Sequence, residues 1–423
     1  MIEAQPLLAS ASSITSNMTT LLLLLPPPPS PPSFAALRAA YHAPLLAAVQ
    51  DVKSRASSPA PAQLDIALPC SHLYGNETLP RSALYAQTQR LVSGLYKLIC
   101  VLAAQEAVDA GEAEAVDARV LLLAYPRDGR LTHGVTGGRT EDDLQGPVVN
   151  IGTLSRRGRP WQIVYAVQTE AGEELLKNFQ AAGTRTHNIK RLRGGLTQLL
   201  GPENPEPSSD DVQRHVAVAV GGTFDHLHIG HKLLLTMTAF AVESATNVEE
   251  DTQRSITIGI TGDELLKNKK YAEYLEDWDT RQRAVYDFLS AILEFGPPDS
   301  NLKKVEEVRN PGPNGHAVNI TLPANLTLKC VEIWDPFGPT ITDESITALV
   351  LSGETRSGGK AVNEKRQEKG WPDLEVLEVD VLDADDVEHE TGKAEQSFQS
   401  KLSSTELRRQ QGEKAKAKRT SRV

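Results

Sequence analysis

Three histidines stand within six residues in the stretch Val216–Lys232, VAVAVGGTFDHLHIGHK. His228 and His231 are three positions apart, so at the start of a helix they would point to the same side. Two imidazoles beside a helix N-terminus, which carries a partial positive charge, can donate hydrogen bonds to a phosphate group. Such donors stabilise a transition state in which negative charge builds up on the phosphate. The spacing therefore predicts a phosphate-handling site.

The residues just before the histidines fit the same chemistry. Gly221 and Gly222 let the backbone turn sharply and approach a ligand closely, because any side chain there would block it. Thr223 adds a hydroxyl group and a backbone N–H. Zinc ligation is the alternative, but zinc requires a third ligand, and the sequence has neither a CxxC pair nor an HExxH motif. We therefore expect no protein-held metal site.

Length and composition limit the class of protein. The chain has 423 residues, three cysteines far apart and a formal net charge of −11. The negative charge argues against nucleic acid or an anionic membrane as the main partner, and the cysteines fit a reducing compartment. The run Leu21–Leu25 is far shorter than the ~20 residues of a membrane span. We expect a cytoplasmic protein in which this run forms a buried edge of an N-terminal sheet.

Composition breaks suggest the domain organisation. Pro26–Ser33 is predicted to be a stiff connector, and Gly201–Asp211, rich in proline, serine and acidic residues, is the best candidate for a linker. A nuclear localisation signal is an alternative interpretation of the basic C-terminal tail. The predicted units are an N-terminal accessory α/β domain over 1–200, a linker over 201–213, a second domain over 214–411 and a disordered basic tail over 412–423.

Strand-like and helix-like segments alternate on both sides of the linker, which predicts an α/β fold in each half. In the second half these units predict a Rossmann-like, doubly wound parallel sheet, whose site lies outside the carboxyl ends of its strands. Gly296–Leu328 has the composition of an insertion loop, while His133 and Gly137-Gly138 fit a solvated turn. The first half is expected to have strands at Leu64–Leu68, Ala118–Pro126 and Trp161–Val167 and a helix over Ser82–Val108.

Five ordered motifs carry a resemblance to a known family. They are GGTFDHLHIGH, GITGDELLKNKK, EIWDPFGP, LSGETRSGGKAVNEKR and KLSSTELRR. The first resembles the H/TxGH signature of the nucleotidyltransferase superfamily, and the last resembles the Ser-Ser-Thr helix start that holds ATP phosphates in that superfamily. Together they resemble the phosphopantetheine adenylyltransferase family in its eukaryotic and archaeal form, over roughly Arg214–Gln411.

The resemblance implies transfer of AMP from ATP to 4′-phosphopantetheine, which gives dephospho-coenzyme A and pyrophosphate in coenzyme A biosynthesis. The attacking phosphate is already a nucleophile, so positioning and charge neutralisation suffice. Mg²⁺ would be held mainly by ATP. Because the sequence lacks a Walker A motif, a separate dephospho-coenzyme A kinase is the implied downstream partner, with other enzymes of the pathway as further candidates.

The resemblance also implies roles for individual residues. His228 and His231 would steady the α-phosphate and Lys267 would supply a mobile positive charge, so these three are the expected catalytic residues. The expected substrate- and ATP-binding residues are Gly221, Gly222, Thr223, Phe224, Asp225, Lys269, Arg281, Arg356, Ser403, Ser404, Thr405 and Arg408.

Some of these residues have plainer alternatives. Lys267 also fits a solvated helix end, Arg281 a surface ion pair, and Ser403–Thr405 an N-cap box, which is compatible with phosphate binding. Asp335 fits either a contact to adenosine or a turn cap. Relatives often carry an arginine directly before the late glycine pair, where this chain has Ser357, so the role of Arg356 stays open.

Two other functions remain as alternatives. One is a cytidylyltransferase of phospholipid head-group synthesis, although the RTEGIST-type signature of that family is replaced here by KLSSTELRR. The other is a non-catalytic scaffold for enzymes of coenzyme A synthesis. A scaffold has no physical need to retain His228, His231, Lys267 and Ser404 together, so the enzymatic interpretation is preferred.

Overall fold

The computed structural model describes residues 20–55, 62–110, 116–132, 145–156, 161–183, 188–195, 212–296, 303–309, 314–379 and 403–420. Described residues 20–195 are called the N-terminal half below, and 212–420 the C-terminal half. Each half contains one sheet flanked by helices. His133, Gly137-Gly138 and the Gly201–Asp211 segment lie outside the described residues.

The N-terminal half is a six-stranded, wholly parallel sheet in the order β4-β3-β2-β1-β5-β6. The strands and the long helix expected from the sequence are confirmed. The elements are β1 (Thr20–Leu24), α1 (Phe34–Arg55), β2 (Ala62–Cys70), α2 (Arg81–Ala110), β3 (Val116–Ala124), β4 (Val148–Val149), α3 (Ile151–Arg156), β5 (Ile163–Gln168), α4 (Glu170–Ala182) and β6 (Ile189–Arg193).

The position of β1 differs from the expectation. Leu21–Leu25 was expected at an edge of the sheet, but β1 pairs with β2 on one side and β5 on the other. All five leucines are fully buried. A strand of a parallel sheet that is covered on both faces has a continuous apolar run instead of an alternating one. The run of leucines is therefore explained by an interior position.

The C-terminal half is a seven-stranded sheet in the order β13-β12-β7-β8-β11-β10-β9. The first five strands in this order are parallel, and β10 and β9 are antiparallel additions at one edge. This is the expected Rossmann-like fold. The elements are β7 (Ala217–Gly222), α5 (Ile229–Ala241), β8 (Arg254–Thr261), α6 (Trp278–Leu293), β9 (Lys304–Val308), β10 (Ala317–Leu322), β11 (Leu326–Ile333), β12 (Ala348–Ser352), α7 (Arg356–Glu368), β13 (Glu375–Val379) and α8 (Ser404–Thr420).

Three expectations for the C-terminal half are corrected. Gly296–Leu328 is not a simple insertion loop, because β9 and β10 form antiparallel ladders within it. Lys267 was considered as a solvated helix end, but the segment after β8 forms only a 3₁₀ turn, Asp263–Leu266. The tail was expected to lack regular structure from residue 412, but α8 continues to Thr420.

The two halves share one hydrophobic core, since a single cluster of buried apolar residues runs through both. Helix α2 of the N-terminal half packs along α5 of the C-terminal half, with Tyr85 against Phe240 and Arg81 over the same ring. Every residue from Lys232 to Ala241 in α5 is buried. This helix therefore has no face left for solvent after its first turn. None of the described helices is long and apolar enough to cross a membrane.

Candidate active site

The candidate site lies where the strand order of the C-terminal sheet reverses. Strands β8 and β11 continue from β7 on one side, whereas β12 and β13 lie on the other. In open parallel sheets ligands bind in the crevice at such a switch point, outside the carboxyl ends of the strands. Strand β7 ends there with Gly221 and Gly222, and α5 begins seven residues further on at Ile229.

Gly221 and Gly222 differ in the space around them. A Cβ atom on Gly221 would have no neighbour closer than 4.0 Å, so this exposed position opens onto free space. A Cβ atom on Gly222 would lie 3.0 Å from the ring of Phe224, which is fully buried. Gly222 therefore lets Phe224 fold back under the strand end, and Gly221 keeps the space above it clear.

The connection from β7 to α5 is a tight turn. Phe224 and His226 have positive φ angles of 51° and 47°, a region that costs residues other than glycine of order 1 kcal/mol or more. Between them lies Asp225, whose side chain is completely buried. The turn persists because its neighbours fix it: Asp225 Oδ1 accepts from Glu276 N at 3.0 Å, and His226 N donates to Glu276 Oε2 at 2.8 Å.

The turn brings His228 and His231 together at the start of α5. Their rings stack with a centroid distance of 3.8 Å and an interplanar angle of 19°, and Phe224 lies 5.4 Å from His231. The Nδ1 atoms of both histidines are buried and have no hydrogen-bond partner among the described residues. A buried polar atom without a partner is costly in a folded protein, and its presence here is typical of a functional site.

Burial also sets the charge of the two histidines. It lowers the pKa of His231 to about 4, against a smaller raising effect of Asp225. Burial, helped by the charges of His231 and Lys232, lowers the pKa of His228 well below its usual value. Both imidazoles are therefore neutral at pH 7, and each carries one N–H donor. Positive charge for a phosphate must come from other groups.

Helix α8 docks directly onto this turn. Ser404 Oγ donates to the carbonyl oxygen of Asp225 at 2.9 Å. Arg408, only 2% exposed, forms an ion pair with the Asp225 carboxylate and donates from Nε to Lys270 O at 3.1 Å and from a second nitrogen to Thr405 Oγ1 at 3.2 Å. The carbonyl oxygen of Ser403 accepts from Leu407 N at 3.0 Å and so opens the helix. The structure thus brings Ser403–Thr405 beside the histidine turn.

Arg408 and Asp225 were expected among the substrate- and ATP-binding residues. In the structure each is the buried ion-pair partner of the other, and their binding role stays a prediction. Their geometry makes them an internal tie between the β7–α5 turn and α8. Sequence spacing could not show this, because the two residues lie 183 positions apart.

Arg281 is also internal. It is completely buried at the start of α6 and donates to the carbonyl oxygens of Glu276 at 3.0 Å, Thr223 at 2.7 Å and Thr261 at 2.8 Å. It also donates to Asp263 at 2.6 Å. Arg281 is thus the buried member of an ion pair with the exposed Asp263, and its ligand-binding role stays a prediction. Arg281 braces the ends of β7 and β8.

Three of the predicted residues, Lys267, Lys269 and Arg356, are exposed, and Thr223 is half-buried. Lys267 forms an ion pair with Glu264 in its own turn, and Lys269 follows on the same exposed segment after β8. Arg356 begins α7, on the other side of the switch point, and pairs with Glu378. These cations lie on segments that border the crevice but already have partners or solvent around them.

Asp335 caps a turn. Its Oδ1 accepts from Phe337 N at 2.7 Å and from Gly338 N at 2.8 Å. Of the two alternatives that the sequence left open for this residue, the structure shows the turn cap.

One group of side chains has the spacing of a metal site. Within the described part of the chain, Asp225, His226 and Glu276 bring ligand atoms within 4.8 Å of one another. Arg408 and Glu276 N already occupy the carboxylate of Asp225, Glu276 accepts from His226 N, and His226 Nε2 lies 2.9 Å from Tyr274 O. Mg²⁺ prefers six oxygen ligands in octahedral geometry, so this set does not fit it.

Lys232 is a residue of this region that was not expected from the sequence. It directly follows His231, is 8% exposed, and forms an ion pair with Asp117 of β3 in the N-terminal half. The signal was a lysine next to three leucines in a helix, where a buried charge requires a partner. Which residue supplies that partner cannot be found without the fold.

Comparison with known proteins adds independent findings. Residues 10–198 match a family described as "Domain of unknown function (DUF8446)". The chain is 34% identical to an uncharacterized protein of Schizosaccharomyces pombe over 52% of this chain and 57% of that protein. It is 36% identical to a phosphopantetheine adenylyltransferase of Saccharomyces cerevisiae over 51% of this chain and 52% of that protein. The chain thus spans about half the length of these two relatives.

A third relative is shorter. The phosphopantetheine adenylyltransferase of Pyrococcus horikoshii is 30% identical over 40% of this chain and 82% of its own length. The Rossmann-like sheet with a glycine turn and paired histidines at its switch point defines a nucleotidyltransferase-like α/β protein. Because the match spans most of the archaeal protein, the chain belongs to the phosphopantetheine adenylyltransferase family.

Proposed function

We propose that this chain is a pantetheine-phosphate adenylyltransferase, which transfers AMP from ATP to 4′-phosphopantetheine and releases dephospho-coenzyme A and pyrophosphate. The observation that supports this most is the stacked pair of His228 and His231. The pair opens α5 at the switch point of the sheet, next to the free space above Gly221. Relatives that bear the name of this activity support the choice of substrates.

The reaction needs little covalent chemistry from the protein. A phosphate oxygen of phosphopantetheine forms a bond to the α-phosphorus of ATP, and the bond to the pyrophosphate leaving group breaks. Neutral His228 and His231 each donate one N–H to the oxygens on which negative charge accumulates. The N-terminus of α5 adds its partial positive charge. The backbone of Gly221–Thr223 orients the attacking phosphate.

The other phosphates of ATP require a second set of donors. The start of α8, Ser403–Thr405, lies against the histidine turn and offers hydroxyl groups and helix N–H groups. Lys267 and Lys269 supply positive charge from the exposed segment after β8. The ion pair of Lys267 with Glu264 is exposed on both sides, and such pairs contribute about 0–1 kcal/mol. A phosphate can therefore replace Glu264 at small cost.

Mg²⁺ would be bound by the phosphates of ATP and not by protein ligands. The acidic group nearest the site, Asp225 with Glu276, is engaged by Arg408 and backbone N–H groups and does not fit the metal. The product would pass to a separate dephospho-coenzyme A kinase, in the cytoplasm.

The test is pyrophosphate release by the full chain in the presence of Mg²⁺. Each reaction contains ATP or CTP together with 4′-phosphopantetheine or phosphocholine. The proposal expects turnover with ATP and phosphopantetheine alone. Turnover with CTP and phosphocholine would instead show a cytidylyltransferase, and no turnover with any pair would leave the scaffold. A reaction without enzyme and one with excess chelator measure the background for each pair.

A further inference from the structure

The N-terminal half has its own switch point, but its own chain covers that point. The strand order reverses between β1 and β5, which is where an open parallel sheet usually binds a ligand. The residues that follow β1, Pro26–Pro29, are all buried there. Tyr41 donates to Pro26 O at 2.7 Å and Arg127 to Pro28 O at 2.9 Å, so the segment is pinned. This half must contribute through another surface.

The N-terminal half contacts the C-terminal half through the surface that packs against α5. Helix α2 packs along α5, and Tyr96 Oη lies 3.5 Å from Thr236 Oγ1 across the contact. Strand β3 reaches the first turn of α5, next to the histidines, through the ion pair of Asp117 with Lys232. Lys232 Nζ also lies 3.4 Å from the carbonyl oxygen of Ala118. The N-terminal half therefore holds α5 both along its length and at its start.

The link from Asp117 to the histidines is short. Lys232 follows His231 in the chain, and its backbone N–H donates to His228 O at 3.0 Å. Asp117 is itself fixed, because Arg119 donates to its carboxylate from two nitrogens, at 3.0 Å and 2.6 Å. The end of the Lys232 side chain is thus anchored to a strand of the other half, while its backbone belongs to the turn that carries both imidazoles.

We propose that Asp117 is a positioning residue for the histidine pair: by anchoring Lys232, it fixes the rotation of the first turn of α5. This rests on the proposed function of that site. Side-chain atoms lie ~5–6 Å from a helix axis. A rotation of ~10° therefore moves an imidazole by about 1 Å, and misplacement by about 1 Å can cost ~10²-fold in rate. Residues 20–195 would then serve catalysis without touching a substrate.

The competing explanation is that the ion pair only stabilises the contact between the halves. Removal of one member of a buried pair leaves the other charge unpaired and destabilises strongly, whereas replacement of both by uncharged residues often restores stability. The single variant Asp117→Asn and the double variant Asp117→Asn/Lys232→Met separate the two explanations. The double variant should regain part of the stability under either explanation, although Arg119 still lacks its carboxylate partner. The anchor of Lys232 to β3 is absent from both variants.

The experiment measures kcat, KM for ATP, KM for phosphopantetheine and thermal unfolding, at a temperature where each variant is folded. Asp117→Asn is expected to lower kcat by about 10- to 100-fold with both KM values within about twofold, and the double variant is expected to keep the low kcat. The control is Asp51→Asn, since Asp51 accepts from Arg55, Tyr165 and Lys190 within the N-terminal half. It should lower stability and leave kcat unchanged.

Two results of these kinetic measurements would overturn the proposal. Recovery of kcat in the double variant would show an ion pair that only stabilises, as would an equal loss of kcat in Asp51→Asn. If the wild-type chain has no turnover, the proposed function fails, and the positioning role is then decided by NMR of the imidazole groups. Shifted signals of His228 and His231 in Asp117→Asn, but not in Asp51→Asn, would support it, and unshifted signals would overturn it.

Discussion

Both halves of the chain contain a sheet with a switch point, but different residues occupy that switch point in the two halves. Each contains a sheet whose central strands are parallel and whose strand order reverses among them. After β1 the N-terminal half continues into Pro26–Pro29, which are buried and pinned by Tyr41. In the C-terminal half, β7 ends with Gly221 and Gly222, and Gly221 opens onto free space. The topology of the sheet therefore does not by itself provide a binding site. The few residues at the end of one strand determine whether the crevice is filled or open to a ligand.

The half-buried histidines of the two halves also differ. Burial lowers the pKa of His72, in the N-terminal half, to about 4, as it does for His231. His72, however, lies 2.8 Å from Thr88 Oγ1, whereas the Nδ1 atoms of His228 and His231 have no partner in the described part of the chain. The lowered pKa therefore does not separate His228 and His231 from His72, whereas their Nδ1 atoms without a partner do.

The largest effect is expected from His231→Ala. Loss of one donor to the transition state should lower kcat by about 10²–10³-fold and leave the affinity for ATP within a few-fold of the wild type. Steady-state kinetics and calorimetric titration with ATP measure the two quantities. His72→Gln is the matched control from the other half and should affect stability alone. A His231→Ala enzyme with near-normal kcat would remove the distinction between the two histidines.

A moderate effect is expected on stability as the pH falls. Histidines whose folded-state pKa is lowered from 6.5 to about 4 bind protons more readily in the unfolded chain, so the free energy of unfolding decreases as pH drops from 6.5 towards 4. About 1–3 kcal/mol is expected for each group. Denaturant unfolding at pH 7.5 and pH 5 measures it. His231→Gln and His72→Gln should each reduce the pH dependence, and a slope unchanged in both would contradict the assignment.

The smallest effect is expected from a side chain at Gly221. It would fill the crevice of the C-terminal half, as Pro26–Pro29 fill the switch point of the N-terminal half. Gly221→Val places a side chain where no atom lies within 4.0 Å, so thermal unfolding should change little. The side chain occupies space assigned to the attacking phosphate, and kcat/KM for phosphopantetheine should fall by about tenfold, or about 1.4 kcal/mol. Gly221→Ala should give a smaller loss in the same assay. Equal activity of both variants and the wild type would place the phosphate elsewhere.

Local patterns predicted most of the fold. Apolar runs and helical leucine spacing marked β2, β3, β5 and α2 because each of these elements buries its own face. The wrong predictions concern elements whose position depends on contacts with distant parts of the chain. The interior position of β1 depends on its pairing with β5, more than a hundred residues away. Strand β9 is an exposed, polar edge strand, and β10 buries only parts of its short sequence against β11. Helix α8 gains its order by docking on the β7–α5 turn.

The candidate site was predictable for its glycines and histidines and not for its arginines. Gly221, His228 and His231 are close in sequence, so their geometry follows from one strand, one turn and one helix. Arg281 and Arg408 bind carbonyl and carboxylate groups that only the folded chain brings to them. A motif shows that an arginine is present near a site, but burial and partners decide whether it meets a ligand or holds the backbone.

The burial of α5 has a consequence for how the protein is made. From Lys232 to Ala241 the helix is buried between the C-terminal sheet, α6 and α2, and α2 covers one side of it. Chains fold from the N-terminus as they leave the ribosome, and α2 is synthesised well before α5. The cover is therefore in place when the apolar helix emerges. A fragment begun at residue 212 would expose Phe240 and its neighbours, and we expect it to aggregate during expression.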